Sequence, residues 1–571
     1  PETIDIHAAD GTYASVDTDS LDVTFARTDK VATLLITTPN APITVQAGTS
    51  TTVKATARDA YNNAVAVGTA ITWTYAGVAP TVNPATLSAS STTTDATGVA
   101  SVTFTPSTLA GDVYEVTATN GTVTDDSDTI TVIPNQTLAN ITFAKTVAGD
   151  AVAGTAFTLT GTAYDAYNNV ITGFTGNATL AFSGANASAN GNAPMYPGSI
   201  AFAASSTATV SVTLYCAETA ALTITSTGIT VTGPSSIVVD PAVVGDYLVD
   251  GFTASQTIGV GFSVTVTPVD AYGNITVGSN SVALSAVAAN GTGPATTGTL
   301  QYVAGGAVTV DTSAGAATAN NITYTRPQTV DIRAVGGAVT SDITVTTDVS
   351  FARTSVVAAI AIDEPTVAIN VEAGNSTVVK ATATDTYGNT VASGTAITWT
   401  YNKIGATTNN ATLSAGSTTC DAAGQAVVTF TPSTLTGDTF TVTATNGAFS
   451  DDTANIVVIA NTTLSNIAFV KTVAGDATAG TAFTLTGTAR DAYNNIIPSY
   501  TGTATLAFSG ANASANGDAP MYPASITFAA ASTATVSLTL FKAETVALTI
   551  TSSGLTITGP SSIVVAPAVV G

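Results

Sequence analysis

The sequence predicts an all-β protein built of tandem β-sandwich modules, and three observations carry that reading. Short segments alternate apolar and polar residues with a period of two. Good helix formers are scarce, with seven lysines and few glutamates in 571 residues, whereas threonine and valine abound. The chain also repeats itself over hundreds of residues without slipping.

The repeat fixes the organisation. TFAR at 24–27 returns as SFAR at 350–353, an offset of 326 residues that also carries Lys54 to Lys380, Trp73 to Trp399, Lys145 to Lys471 and Met195 to Met521. It carries Pro1 to Pro327 and Gly245 to Gly571, so a 326-residue unit is followed by 245 residues of a second copy. Three module types lie inside the unit: a first at 34–134, a second at 135–240 and a divergent third at 241–353. The first type recurs at 354–459 and the second at 460–571. Residues 1–33 match only the closing strands of a third module, PETIDIHAADGTY pairing with PQTVDIRAVGGAV at 327–339. Together with the lack of an N-terminal signal pattern, this reads as a window cut from a longer array. The alternative is a pair of orphan strands that completes a fold in another subunit.

Each module reads as strands. AITWTY at 70–75 alternates Ile71, Trp73 and Tyr75 with threonines, and SVTFT at 101–105 alternates Val102 and Phe104 in the same way. FTLTG at 157–161 and IDIHA at 4–8 follow suit. Such alternation, broken by turn residues every ~8–12 positions, predicts sheets with one wet face. Modules of ~100 residues with about seven strands suit an immunoglobulin-like sandwich.

One five-residue word recurs once per module. It is DAYNN at 59–63, 165–169 and 491–495, DAYGN at 270–274 and DTYGN at 385–389. The residues concerned are Asp59, Tyr61 and Asn63; Asp165, Tyr167 and Asn169; Asp270, Tyr272 and Asn274; Asp385, Tyr387 and Asn389; Asp491, Tyr493 and Asn495. Asn-Asn and Gly-Asn adopt the positive φ of a tight turn, and a preceding Asp accepts hydrogen bonds from the N–H groups the turn leaves free. The Tyr ring is expected to cover the end of its own core with a wet hydroxyl. The functional alternative is a calcium site using Asp59, Asp385 and their equivalents.

At this point a resemblance appears. VVKATATDTYGNTVASGTAITWTY, followed by ATLSAGSTTCDAAGQAVVTFTPSTLTGDTFTVTATNG, resembles the bacterial Ig-like domains of the invasin/intimin group, over 34–134 and 354–459. The second modules, with DAYNNIIPSYTGTATLAFSG, resemble the looser filamin-like or Ig-like repeats of large microbial surface proteins. The third shares mainly VDAYGN and the strand rhythm. The resemblance implies extracellular stalks, adhesin rods, surface-layer or filament proteins, and no catalysis. The outer-membrane barrel and lectin-like tip of intimin-type adhesins have no counterpart in the sequence, so a receptor is not implied.

Composition narrows the partners. Thirteen basic against 37 acidic residues give a net charge of −24, which excludes nucleic acid and anionic membrane as targets of a cationic face. No apolar run reaches the ~18 residues of a membrane helix, so direct membrane insertion is not expected. The acidic excess has two readings, solubility and divalent-cation binding. Calcium candidates are the paired Asp125 and Asp126, retained as Asp451 and Asp452. Asp112, Asp150 and Glu218 are retained as Asp438, Asp476 and Glu544.

Other chemistry is thin. His7 is the sole histidine and becomes Arg333 in the copy, so a Ser/His/Asp or Cys/His mechanism has no duplicated base. Cys216 becomes Lys542, and Cys420 stands where the first copy has Thr94. Lys54/Lys380 and Lys145/Lys471 raise either a Lys–Asn isopeptide crosslink or a strand-edge lysine. Glycosylation candidates are the sequon residues Asn135 and Asn186 and their counterparts Asn461 and Asn512. The expected function is structural and extracellular: a rod, filament, sheath or lattice whose partners are copies of itself. The alternatives are an adhesin stalk with a glycan- or protein-binding module, or the spacer region of a larger surface enzyme.

Overall fold

The computed structural model describes residues 2–9, 11–13, 22–78, 83–344, 346–405, 410–560 and 562–569. Pro1, Asp10, residues 14–21 and Gly571 lie outside the described residues. Among those described, strand follows strand, with one 3-10 turn at Ala289–Gly291. No helix among them is long and apolar enough to cross a membrane. The chain forms two compact units: Pro1–Asp246 with Thr267–Gly278 and Ser313–Ala316, and Tyr247–Val266 with Ser279–Thr312 and Ala317–Gly571.

In the first unit, residues 34–134 make a two-sheet sandwich. One sheet orders Thr33–Thr38, Thr51–Arg58, Val99–Thr105 and Thr86–Leu87. The other orders Ile43–Gln46, Ile130–Ile133, Val113–Asn120, Ala70–Gly77 and Ser91–Thr93, with Val123–Asp126 added on Val113–Asn120. Ile43–Gln46 and Ile130–Ile133 run parallel. The alternation in the sequence decides which face turns inward. Val53, Ala55 and Ala57 are buried from one sheet and Ile71, Trp73, Val116 and Ala118 from the other, while the intervening threonines face outward. Trp73 donates Nε1–H to Thr92 Oγ1 at 2.7 Å. Tyr75, Phe104 and Tyr114 form an aromatic cluster with centroids 5.6, 6.2 and 5.5 Å apart.

Residues 135–240 build a second sandwich. Its main sheet orders Thr207–Val212, Phe157–Tyr164, Asn140–Lys145 and Thr230–Thr232, and short paired strands complete it. Leu159, Ile141, Phe143, Ile200 and Phe202 share its core. In the partial module, Thr3–Asp5 pairs with Asp22–Thr24, Thr3 opposite Thr24. That is the register of Thr329 opposite Ser350 in the third module. The strand expected through IDIHA stops at Asp5, leaving Ile4 38% and Ile6 61% exposed and His7 beyond its end. With one paired neighbour and no facing sheet among the described residues, alternation alone does not hold a strand there.

The second unit starts with the third module. One sheet pairs Ala317–Tyr324 with residues 262–266 and with Leu300–Tyr302. The other orders Ser255–Thr257, Val349–Ala352, Thr329–Gly336, Val282–Ala288 and Val308–Val310. Residues 354–459 then repeat the first sandwich strand for strand, down to the cluster of Tyr401, Phe430 and Phe440 at 5.7, 6.2 and 5.6 Å. Residues from 460 repeat the second, with Phe483–Arg490 between Asn466–Lys471 and Thr533–Leu538. The protein is all-β, a tandem series of immunoglobulin-like sandwiches.

Candidate functional site

The five-residue words form the site that recurs most faithfully. In each, one oxygen of the Asp accepts the N–H groups two and four residues on. Tyr61 and Asn63 donate to Asp59 Oδ1 at 2.9 Å each. Tyr387 and Asn389 donate to Asp385 Oδ1 at 2.8 and 2.9 Å. The words at Asp165, Asp270 and Asp491 have the same pair of bonds. The fourth residue is left-handed, with φ of 63° at Asn62, 65° at Asn168, 71° at Asn494, 82° at Gly273 and 75° at Gly388. Only Asn and Gly take that conformation readily, which is why the word alternates between them. The backbone N–H of Asn63 is the main force holding the Asp59 carboxyl below its ordinary value. At Asp165 burial pushes the carboxyl up, but the amide and N–H of Asn169, with the N–H groups of Asn135 and Tyr167, outweigh it and leave it lowered.

Four of the five words also reach back into the preceding module. In the first unit Asn169 donates from Nδ2 to the Thr108 carbonyl at 2.8 Å, and its Oδ1 accepts the Ala110 N–H at 2.8 Å. Asn274 does the same with the Tyr215 carbonyl and the Ala217 N–H, both at 2.8 Å. In the second unit Asn495 takes the Thr434 carbonyl at 2.7 Å and the Thr436 N–H at 3.0 Å. Asn389 donates to the Thr325 carbonyl at 2.9 Å and accepts from Arg326 Nη1 at 2.8 Å. The remaining Asp oxygen ties the linker: the N–H groups of Asn135, Ala242 and Asn461 donate to Asp165, Asp270 and Asp491 at 2.9, 2.9 and 3.0 Å.

The tyrosines sit differently from the expectation. A Cβ on Gly48 would lie 2.0 Å from Tyr167 Oη, one on Gly154 2.0 Å from Tyr272 Oη, and one on Gly374 2.1 Å from Tyr493 Oη. Each ring is therefore seated on a glycine of the preceding module instead of capping its own core. At Gly259 the seat is wider, 3.7 Å from Tyr387 Cε2. Those glycines went unnoticed in the sequence. Their signal is a glycine, mostly in AGT or AGN, about 120 residues before each tyrosine. The first word has no such partner in the described residues: Tyr61 is 87% exposed, and Asn63 Nδ2 reaches only Asp59, at 3.3 and 3.4 Å. A hollow of about 620 Å³ opens beside it, lined by Phe25, Arg27, Lys30, Val31 and Tyr61.

The acidic candidates lie apart from these clasps. Asp125 Oδ2 accepts the Ile36 N–H at 2.6 Å, beside a register shift in the opposite sheet, and Asp451 does so for Ile362 at 2.8 Å. Asp126 and Asp452 accept the Thr117 and Thr443 hydroxyls at 2.6 and 2.5 Å. These carboxylates turn to separate protein donors, a poor fit to the ~6–8 converging oxygens calcium prefers. No group of three or more His, Cys, Asp or Glu able to hold a metal occurs among the described residues. Asp112 and Asp438 are buried and accept the hydroxyls of Ser107 and Ser433.

Two sequon asparagines are clamped by a retained glutamate. Asn186 donates its N–H and Nδ2 to Glu218 at 2.7 and 2.6 Å, and Asn512 to Glu544 at 2.8 Å each. Asn135 and Asn461 lie at linkers, their Oδ1 atoms accepting the N–H of Thr137 and Thr463. Lys145 and Lys471 donate to the carbonyls of Gly149 and Gly475 and stand over Phe157 and Phe483, while Lys380 pairs with Glu364 at 3.4 Å. Cys216 lies between the two clasp residues Tyr215 and Ala217, its thiol pushed up by burial and by Glu218. Burial likewise raises Cys420.

No family model and no curated protein matches the chain. Among solved structures it is similar to FdeC, an Escherichia coli adhesin, at 19% identity over 75% of this chain and 98% of that one, with a TM-score of 0.24. Invasin, a bacterial integrin-binding protein, is similar at 15% identity over 91% and 99%, with a TM-score of 0.28. Domains 4–9 of the surface layer protein SbsC are similar at 14% identity over 99% and 86%, with a TM-score of 0.22. At these values the likenesses carry no inference about function.

Proposed function

We propose that the chain is an extracellular, surface-borne structural array whose modules are held in line by the Asp–Tyr–Asn clasps, so that it spans distance as a rod. The carrying observation is that the same Asn amide is buried against the preceding module at four successive words, 5% exposed at Asn169, 8% at Asn274, 6% at Asn389 and 5% at Asn495. A buried, doubly bonded amide resists bending at a joint more than a Gly/Ser linker does. Small-angle X-ray scattering tests it. The native chain is expected to show one longest dimension of roughly 150–200 Å, from five modules of ~30–35 Å. Replacing Asn169, Asn274, Asn389 and Asn495 together by Ala is expected to shorten and broaden the distribution. An unchanged distribution in that variant overturns the reading.

Lateral assembly with copies of itself into a filament, sheath or lattice is the finer form of this proposal. It draws on a surface that both second-type modules present: a hollow of about 290 Å³ beside Lys145, exposed Val147 and Phe157, and one of about 310 Å³ beside Lys471, exposed Val473 and Phe483. The substitutions V147D and V473D are expected to abolish concentration-dependent sedimentation. A second reading, an adhesin with a glycan-binding third module, draws on the Ala289–Gly291 turn that interrupts only that module among the described residues. Retention of the native chain on immobilised surface glycans, lost on replacing Asn290 and Thr292, would favour it.

A further inference from the structure

At three of the four seams the clasping Asn meets main-chain atoms alone. The clasping Asn donates to the carbonyl of one residue and accepts the N–H of the residue two further on: Thr108 and Ala110, Tyr215 and Ala217, Thr434 and Thr436. The residue between them is Leu109, Cys216 or Leu435, and its side chain takes no part in the pair. At the fourth seam the carbonyl is that of Thr325, and two residues on stands Pro327. Proline has no N–H to give. There the intervening residue is Arg326, and its guanidinium donates to Asn389 Oδ1 at 2.8 Å.

We propose that Arg326 is a positioning residue that stands in for the donor missing at Pro327, making the joint between the third and fourth modules the one described seam at which the preceding module completes the Asn clasp with a side chain. Arg326 is itself exposed. Its bond to Asn389 must order a long side chain that water also solvates, whereas the N–H groups of Ala110, Ala217 and Thr436 are fixed by the loop they belong to. The Tyr387 ring, which at its nearest is 3.7 Å from a Cβ built on Gly259 against 2.0–2.1 Å at the other three seats, adds less restraint at this seam. The joint is thus set apart from the other three by chemistry. The inference depends on the clasp geometry and not on the array being a surface rod.

The chain holds two tryptophans, Trp73 in the first module and Trp399 in the fourth. In a W73F background, fluorescence therefore follows the fourth module of the full chain. Denaturant unfolding read by Trp399 is expected to show R326M lowering the unfolding equilibrium constant's reciprocal, the stability of the fourth module, about tenfold, one charge-assisted hydrogen bond's worth. P327A added to R326M restores an N–H at the place where the other seams have one, and is expected to bring the value back to within about threefold of native. In an N389A background, R326M is expected to have no further effect, because the acceptor is gone. The proposal is overturned if R326M leaves the Trp399 transition unchanged. It is equally overturned if P327A fails to rescue, or if the R326M loss persists undiminished with N389A.

Discussion

The first and fourth modules are the same sandwich 326 residues apart, yet their words live in different surroundings. Both carboxylates collect the same two N–H groups, Tyr61 and Asn63 on Asp59, Tyr387 and Asn389 on Asp385. Asn389 goes on to bond Thr325 and Arg326 and is 6% exposed, whereas Asn63 is exposed and turns back on Asp59. The difference separates two jobs in one motif. The Asp and the left-handed residue make the turn from within. The Asn and the Tyr make the joint, and they do so only where a neighbour presents a carbonyl and a glycine.

Substitutions can break that separation, the largest effect first. D385A removes a carboxylate whose residue is 4% exposed and leaves the N–H groups of Tyr387 and Asn389 without their acceptor. It is expected to destabilise the fourth module by about 3 kcal/mol or more, measured through Trp399, while D59A gives a visibly smaller shift through Trp73 because water reaches that turn. N389A removes the joint together with the amide's bond to Asp385, at about 1–3 kcal/mol, whereas N63A, which loses only the exposed counterpart of that bond, should fall within ~0.5 kcal/mol of native. If N63A proves as costly as N389A, the Asn serves the turn and the division of labour fails.

Acid titration sharpens the same contrast. The Asp165 carboxyl is held low, so its contribution is full above the ordinary Asp value near 3.8 and fades as pH falls through its depressed folded value. Hydrogen exchange at residues 165–171 is therefore expected to stay flat from pH 7 down to about 4, after correction for intrinsic rates, and to rise below it. D165N should remove that acid limb. A change of opposite sign is expected at Cys420, buried where the first module has Thr94. There the Thr94 hydroxyl donates to the Ala66 carbonyl at 2.7 Å and accepts the Thr69 N–H at 3.2 Å. C420T is expected to stabilise the fourth module by about 1 kcal/mol, read as a higher denaturant midpoint at Trp399.

The strands were legible because burial has a period. Ile71, Trp73, Val102 and Phe104 alternate with threonines in the sequence and are buried in the sheets. IDIHA shows the limit of that signal: the same alternation yields three residues of strand where no second sheet faces it among the described residues. The turn could be read from Asp, Asn and Gly because its hydrogen bonds span four residues. The joint could not, since Asn169 meets Thr108 and Asn495 meets Thr434 some sixty positions upstream, through main-chain atoms that every residue possesses. Likewise the paired Asp125 and Asp126 look like metal ligands in a string of letters. In space one carboxylate turns to a strand of the other sheet and the other to its own neighbour.

Because three of these joints recognise peptide groups and a bare glycine, the genetic text between Thr108 and Ala110, Tyr215 and Ala217, or Thr434 and Thr436 is free to drift. Leu, Cys and Leu stand there. A duplicated stretch of gene would then carry both halves of the clasp with it. Lengthening such a molecule asks for copying alone.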